Sequence, residues 1–353
     1  MTKNIAVVGC GYWGKNLVRN FYELSALHTI CDVDENRLKS FQNKYLDLVI
    51  SNDYKSLLNN PEIEAVVIST PAATHYALAK QALLADKDVF VEKPISLHYE
   101  EGEELVSLAQ QKNKILMVGH ILEYHPAVIK LKEMISSGEL GKINYIYSNR
   151  LNLGKFRTEE NILWSFAPHD ISVILSLLSE MPSEVSAHGG EYLNQDITDV
   201  TVTNMTFPSG TKAHIFVSWL HPYKEQKLIV IGDKKMVVFN DVDPENKLFS
   251  YDHKIDWIER LPVPHSEAAE PIPIEKAEMV YLSIQEFPCA CQHIHLQALQ
   301  RFCLKVYLHN ISASLRIPMH SLNFREFLSI KLVRSSGSLS RINVPSLNTL
   351  YEG

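Results

Sequence analysis

Six residues near the start of the chain, Gly9-Cys10-Gly11-Tyr12-Trp13-Gly14, carry glycines at the spacing that lets a main chain fold around a pyrophosphate. They follow a short apolar run, Asn4 to Val8, and open a helical pattern from Trp13 to Leu24. Gly9 permits the tight turn, Gly11 lets the backbone approach the phosphates, and Gly14 lets the helix pack close to the strand. Tyr12 and Trp13 lie within the turn, and the helix N-terminus offers free N–H groups to an anion. The pattern requires an acid at the end of the next strand, about 20 residues on. Asp32 is there, 18 positions after Gly14 and closing the run from Leu27. A carboxylate at that point accepts hydrogen bonds from ribose hydroxyls and repels a 2′-phosphate, which favours NAD. Arg37 keeps NADP open, because a guanidinium can neutralise that phosphate.

Further chemistry-bearing residues sit just after other apolar runs. Ser69-Thr70-Pro71-Ala72-Ala73-Thr74-His75 follows the fourth, Glu92-Lys93-Pro94 the fifth and Gly119-His120 the sixth. In an open α/β sheet the carboxyl ends of the strands form the ligand crevice. Alone, Thr70-Pro71 reads as a turn and Lys93 as a solvated lysine. Together on one rim, Ser69, Thr70, Pro71, His75, Glu92 and Lys93 become candidates for holding the dinucleotide.

The elements that must position them are legible in the apolar pattern. Asn4 to Val8, Leu27 to Cys31, Ala65 to Ser69, Asp88 to Val91 and Ile115 to Val118 are short, apolar and β-branched, with a weaker strand near Asp47 to Ser51. Strands buried on both faces look like this. Helical stretches lie between them at Trp13 to Leu24, Glu35 to Lys44, His75 to Ala85 and Tyr99 to Lys112. The alternation predicts a parallel sheet with right-handed crossovers. From Ile143 the texture changes. A strand to Leu151 and a helix from Pro168 to Leu178 are followed by strands at Glu184 to His188, Val200 to Phe207, Thr211 to Leu220, Lys227 to Gly232 and Lys235 to Asn240. Ala213, Ile215, Val217 and Trp219 alternate with His214, Phe216 and Ser218, the period of an antiparallel sheet with one covered face. The expected fold class is α/β: a Rossmann parallel-sheet domain plus an α+β domain with an open, mostly antiparallel sheet. The expected boundaries are 1–120, 121–278 and an atypical tail over 279–353.

Composition narrows the function classes. With 34 basic and 41 acidic residues the net charge is −7, which removes a global electrostatic reason to bind nucleic acid. No apolar run reaches the roughly 18 residues of a membrane span. The N-terminus lacks the pattern of an export signal, and five cysteines form no disulfide framework, so a cytoplasmic location is expected. Residues 279–353 hold three acids, Glu286, Glu326 and Glu352, against 38 in the rest of the chain, and no capped amphipathic helix. That imbalance reads either as a basic tail or as a segment out of register with the ancestral reading frame. Within it, Cys289-Ala290-Cys291-Gln292-His293-Ile294-His295 spaces its cysteines by one residue, where zinc sites use two to four, so no metal is expected. No G-x-S-x-G elbow points to a hydrolase.

Taken together, Gly9 to Gly14, Asp32, Thr70-Pro71 with His75, and Glu92-Lys93-Pro94 resemble the Gfo/Idh/MocA family of sugar and inositol dehydrogenases, from the N-terminus to about residue 278. The resemblance implies a nicotinamide cofactor and oxidation of a carbinol on a sugar or cyclic polyol. It implies that Lys93 and His169 are the catalytic, proton-handling pair, Lys93 acting either as a base or as a charged group that orients the hydroxyl. The family often carries an aspartate four residues before the histidine; here that position is Ser165. Asp170 reads as structural. His120, Trp164, Lys155 and Arg157 become candidate substrate contacts, and the Arg150-to-Asp170 stretch resembles dehydrogenases of nucleotide-linked sugars, with C3 of a UDP- or TDP-sugar favoured. A homo-oligomer, dimer or tetramer, is implied through the open sheet. The competing reading is an inactive nucleotide-binding or degraded member, which need not keep Lys93 and His169.

Overall fold

A computed structural model describes residues 4–153, 160–258, 261–266 and 270–273. Lys155, Arg157, the cysteine-histidine stretch and the tail after residue 273 lie outside the described residues.

The first sheet is built from β1 (Ile5–Val8), β2 (Leu27–Cys31), β3 (Val49–Ser51), β4 (Ala65–Ile68), β5 (Asp88–Val91) and β6 (Leu116–Val118), in the order β3-β2-β1-β4-β5-β6, all parallel. This is the doubly wound order, with its reversal at β1 and β4. Both faces of β1 are buried. Ala6 and Val8 pack with β4, β5 and the helices α4 (His75–Leu84) and α5 (Tyr99–Lys112), whereas Ile5 and Val7 pack with Val18 of α1 (Gly14–Glu23) and Leu38 of α2 (Glu35–Lys44). The expected parallel sheet is therefore present, and burial on both faces is why its strands lack alternation. Asp34 starts α2 as its N-cap, accepting from the Asn36 and Arg37 N–H groups. A short α3 (Tyr54–Asn59), which the sequence reading passed over, is capped in the same way by Asp53.

After β6 the chain enters α6 (Pro126–Ser136), with Pro126 in the first turn where its missing N–H costs nothing. The second sheet contains β7 (Ile143–Leu151), β8 (Glu184–Gly190), β9 (Val200–Thr206), β10 (Lys212–Ser218), β11 (Glu225–Gly232), β12 (Lys235–Asn240), β13 (Leu248–Ile258), β14 (Leu261–Ser266) and β15 (Glu270–Pro271). Its order is β14-β13-β12-β11-β7-β10-β9-β8, with β15 beside β13. Every pair is antiparallel except β7 with β10. The alternation in β10 sorts as expected: Ala213, Ile215, Val217 and Trp219 enter the core under α7 (Ile162–Leu178). Register carries one polar-to-apolar row, His214, Tyr147, Ile229, Val238 and Phe249, across the opposite face of five strands.

One boundary differs from the sequence reading. Pro168 suggested a helix start, but α7 begins six residues earlier, at Ile162, and Pro168 lies inside it. The N-cap is Asn161, whose side chain accepts from the Trp164 N–H at 3.1 Å. Pro168 instead removes the N–H that would bond the Trp164 carbonyl. Among the described residues, no helix is long and apolar enough to cross a membrane.

Candidate active site

The glycine turn shows which of its constraints come from protein. Gly9 has φ +87°, and a Cβ there would lie 2.8 Å from the Thr70 nitrogen. A Cβ on Gly14 would sit 1.9 Å from the Gly9 carbonyl oxygen. Both positions are closed by the chain itself. A Cβ on Gly11 would meet nothing within 4 Å, so the turn is open on the side where a pyrophosphate would approach. That open cradle at a helix N-terminus fits a dinucleotide. Ser69 braces the turn by donating to the Gly9 carbonyl at 2.6 Å.

Asp32 ends β2 as a buried carboxylate. Its Oδ2 accepts from the Cys10 N–H at 2.7 Å, and its Oδ1 from the Asp34 N–H at 2.9 Å. Arg37 Nη1 reaches both oxygens, at 3.0 and 2.9 Å. Burial works against the charge, but the two main-chain donors and the guanidinium outweigh it and hold the carboxyl below its ordinary range. An ionised Asp32 is the state that would accept ribose hydroxyls. Arg37 already occupies part of its lone-pair capacity, so the guanidinium must share or yield when a ribose binds.

His75 opens α4 but presents no free nitrogen to a ligand. Nδ1 lies 2.7 Å from the Pro94 carbonyl and Nε2 lies 2.8 Å from the Thr70 carbonyl. It ties the turn after β4 to the turn after β5, so its contribution to a cofactor site would be to shape both. Thr70 and Thr74 share a hydroxyl bond at 2.7 Å, and Pro71 starts the short 3-10 turn that leads into α4. Glu92 is buried and accepts from the Trp13 indole N–H at 2.6 Å. Tyr12 stands 86% exposed at the turn, with Lys15 over its ring.

Lys93 crosses to the second sheet's helix. Its Nζ donates to the Ser165 carbonyl at 2.7 Å, one turn of α7 before His169. His169 is brought into the same group. Burial, then the nearby charges of Lys93, Arg150 and His120, push its pKa well below the ordinary histidine value. A neutral imidazole is the form that can accept a proton. Its Nδ1 is buried with no hydrogen-bond partner among the described residues. His120 follows β6 on the same rim, and Trp164 packs half-buried against the core of the second sheet.

Sequence reasoning missed the support beneath His169. Arg150 is buried and donates from Nε to Asp170 Oδ2 at 2.7 Å and from Nη2 to Oδ1 at 3.1 Å. Ser148 donates to the same carboxylate at 2.7 Å. The signal was available: Ser148 and Arg150 share the inward face of β7, and Asp170 adjoins His169.

Two family models match this chain. The Gfo/Idh/MocA oxidoreductase family model with an NAD-binding Rossmann fold covers residues 3–120, and the Gfo/Idh/MocA C-terminal domain model covers 128–238. The chain belongs to the Gfo/Idh/MocA family. Membership places it among the NAD(P)-dependent oxidoreductases that act on CH–OH groups. Family relatives include UDP-N-acetylglucosamine 3-dehydrogenase of Acidithiobacillus ferrooxidans, 29% identical over 213 residues, which are 60% of this chain and 66% of the relative. Another is 2,7-anhydro-N-acetylneuraminate hydratase of Mediterraneibacter gnavus, 26% identical over 69% of this chain and 68% of its own. The solved structure of the Acidithiobacillus ferrooxidans dehydrogenase superposes with a TM-score of 0.74 at 22% identity, over 87% of this chain and 96% of that one, a likeness of fold.

Proposed function

We propose that this Gfo/Idh/MocA member oxidises a secondary hydroxyl of a sugar or nucleotide-linked sugar, with C3 of a UDP- or TDP-sugar favoured, and passes the hydride to NAD. The observation that carries the reading is the meeting of Lys93, on the cofactor rim, with the α7 segment that presents His169. Gly9, Gly11, Tyr12, Trp13, Gly14, Asp32, Ser69, Thr70, Pro71, Glu92 and Lys93 would hold the dinucleotide, with His75 bracing the two turns. When bound, its nicotinamide supplies the hydride acceptor. The proton of the hydroxyl then needs a base, typically worth about 10²–10⁴-fold. A neutral His169 can take it while Lys93 orients the oxygen, or Lys93 takes it directly. His120, whose charge acts on His169, would contact the substrate, as would Trp164 from the same helix as His169. Ser165 leaves no carboxylate in the position before His169, so the proton-handling pair is Lys93 and His169.

A panel of nucleotide sugars, free sugars and inositols assayed for NADH formation tests this, with Lys93→Met and His169→Asn as controls. Turnover that survives unchanged in both variants overturns the assignment. Wild-type protein that neither carries nor titrates a nicotinamide cofactor supports the inactive reading.

We also propose that a second copy of the chain covers the outer face of the second sheet. Tyr145, Tyr147, His214 and Phe216 stand half-exposed on that face, and Val202 is 37% exposed. Apolar surface of this kind marks an interaction site. A monomer in sedimentation at working concentration would contradict it.

A further inference from the structure

A side-chain bond that the reaction chemistry does not use joins the phosphate turn to the end of β5 beside Lys93. Trp13, the residue before α1, has no side-chain cap to its helix, and its indole N–H instead reaches Glu92, at a sequence distance of 79 residues. Glu92 is 8% exposed and immediately precedes Lys93. Its carboxyl lies against the main chain after β6: a Cβ on Gly119 would fall 2.9 Å from Oε2 and 3.0 Å from Oε1. The carboxyl is thus wedged between the end of β5, the residue after β6 and the glycine turn. Nothing about a structural role requires an ionisable group there, since glutamine has the same length and the same acceptor.

We propose that Glu92 is a positioning residue for cofactor binding: through Trp13 it fixes the open side of the phosphate turn, and its ionisation sets how firmly the turn is held. This rests on the turn binding the dinucleotide and deepens that reading. Burial pushes the Glu92 carboxyl up to about 7, opposed by the Trp13 hydrogen bond, the Lys93 charge and the Lys93 main-chain N–H. Trp13 is uncharged and Gly119 brings no side chain, so Lys93 is the charged group acting on it. An ionised acceptor makes a bond about twice as strong as a neutral one. The turn is therefore held tightly above neutrality and loosened below it.

The test is binary NAD and NADH binding, without substrate, by intrinsic fluorescence and calorimetry from pH 6 to pH 8. Wild type, Glu92→Gln and Trp13→Phe are compared, with circular dichroism showing that each is folded. Wild-type Kd should rise about 5-fold as pH falls through 7. Glu92→Gln should be flat across the range at a Kd near the acid wild-type value. Trp13→Phe should also be flat and weaker, and the double variant should add nothing further, as residues acting through one bond are not additive. A wild-type Kd that does not change with pH, or a Glu92→Gln profile that still bends like wild type, overturns the proposal while leaving the cofactor site intact. Wild-type protein that binds neither nucleotide at any pH removes both.

Discussion

Lys93 Nζ donates to the Ser165 main-chain carbonyl at 2.7 Å, so the ammonium on the cofactor rim is aimed by the helix that carries His169. The bond is made to backbone, and Ser165 brings no carboxylate. Lys93→Met removes both the charge and this anchor. It should lower kcat by about 10²–10⁴-fold, the usual contribution of a positioned proton-handling group. Binary NAD affinity should change far less. Steady-state kinetics beside a binding titration checks this, and a kcat within a factor of two of wild type would remove Lys93 from the chemistry.

The three glycines of the turn should behave differently. Gly14→Ala places a Cβ 1.9 Å from the Gly9 carbonyl, and backbone cannot yield there cheaply. It should lose both fold stability and cofactor. Gly11→Ala meets no protein atom within 4 Å, so its melting temperature should stay near wild type. If the pyrophosphate passes the open side of the turn, Gly11→Ala should still weaken NAD binding by about 10-fold or more, the scale of one lost hydrogen-bonded approach. Thermal melts paired with titrations separate the two, and unchanged NAD affinity in Gly11→Ala would move the phosphates elsewhere.

Cofactor choice should turn on Asp32. Its carboxylate is held ionised by the Cys10 and Asp34 N–H groups and by Arg37. Asp32→Ser removes the acceptor for ribose and the repulsion of a 2′-phosphate, and releases Arg37 toward it. kcat/KM should fall with NAD and rise with NADP, moving their ratio by about 100-fold, equivalent to roughly 3 kcal/mol. An unchanged ratio would show that the adenosine ribose does not reach Asp32.

The legible part of the fold was the part where one rule acts alone. β1, β4 and β5 are apolar because both faces are covered, and the ligand-bearing residues follow because parallel strands end on one rim. The misread part was where two rules competed. Pro168 is a good first-turn residue, yet Asn161 caps α7 earlier and tertiary packing carries the helix through the proline. The sequence reads Arg150 as the start of a stretch resembling nucleotide-sugar dehydrogenases, but strand alternation turns it inward to Asp170. The Trp13 to Glu92 bond spans 79 residues, and no local pattern encodes it. β14 and β15 passed unread because both are short and interrupted by prolines.

The buried Arg150–Asp170 pair supplies a stability prediction. Both side chains lie in the interior, and Ser148 adds a third bond to the carboxylate. Removing one partner leaves the other charge buried, which costs about 3–5 kcal/mol. Asp170→Ala should therefore destabilise strongly, whereas Ser148→Ala should cost about 1 kcal/mol. The loss also frees the Arg150 charge to act on His169, whose protonation it already opposes. Denaturant melts give the first quantity. A cost for Asp170→Ala no greater than for Ser148→Ala would mean the pair is not desolvated.

Glu92 makes stability depend on pH with a sign opposite to most carboxylates. Its carboxyl is raised from 4.5 to about 7 by burial, so the folded protein binds that proton more tightly than the unfolded chain does. Its stabilising contribution is complete below pH 4.5, falls between pH 4.5 and about 7, and is lost above that. Glu92→Gln cannot ionise and escapes this loss. Its advantage over wild type should be absent at the acid end and grow to at most about 3 kcal/mol by pH 8. The more stable variant would then be the one whose phosphate turn is held less firmly. Melts of both proteins across this range check the sign, and an advantage that grows toward acid pH would show that the buried carboxyl is ionised at lower pH than its surroundings dictate.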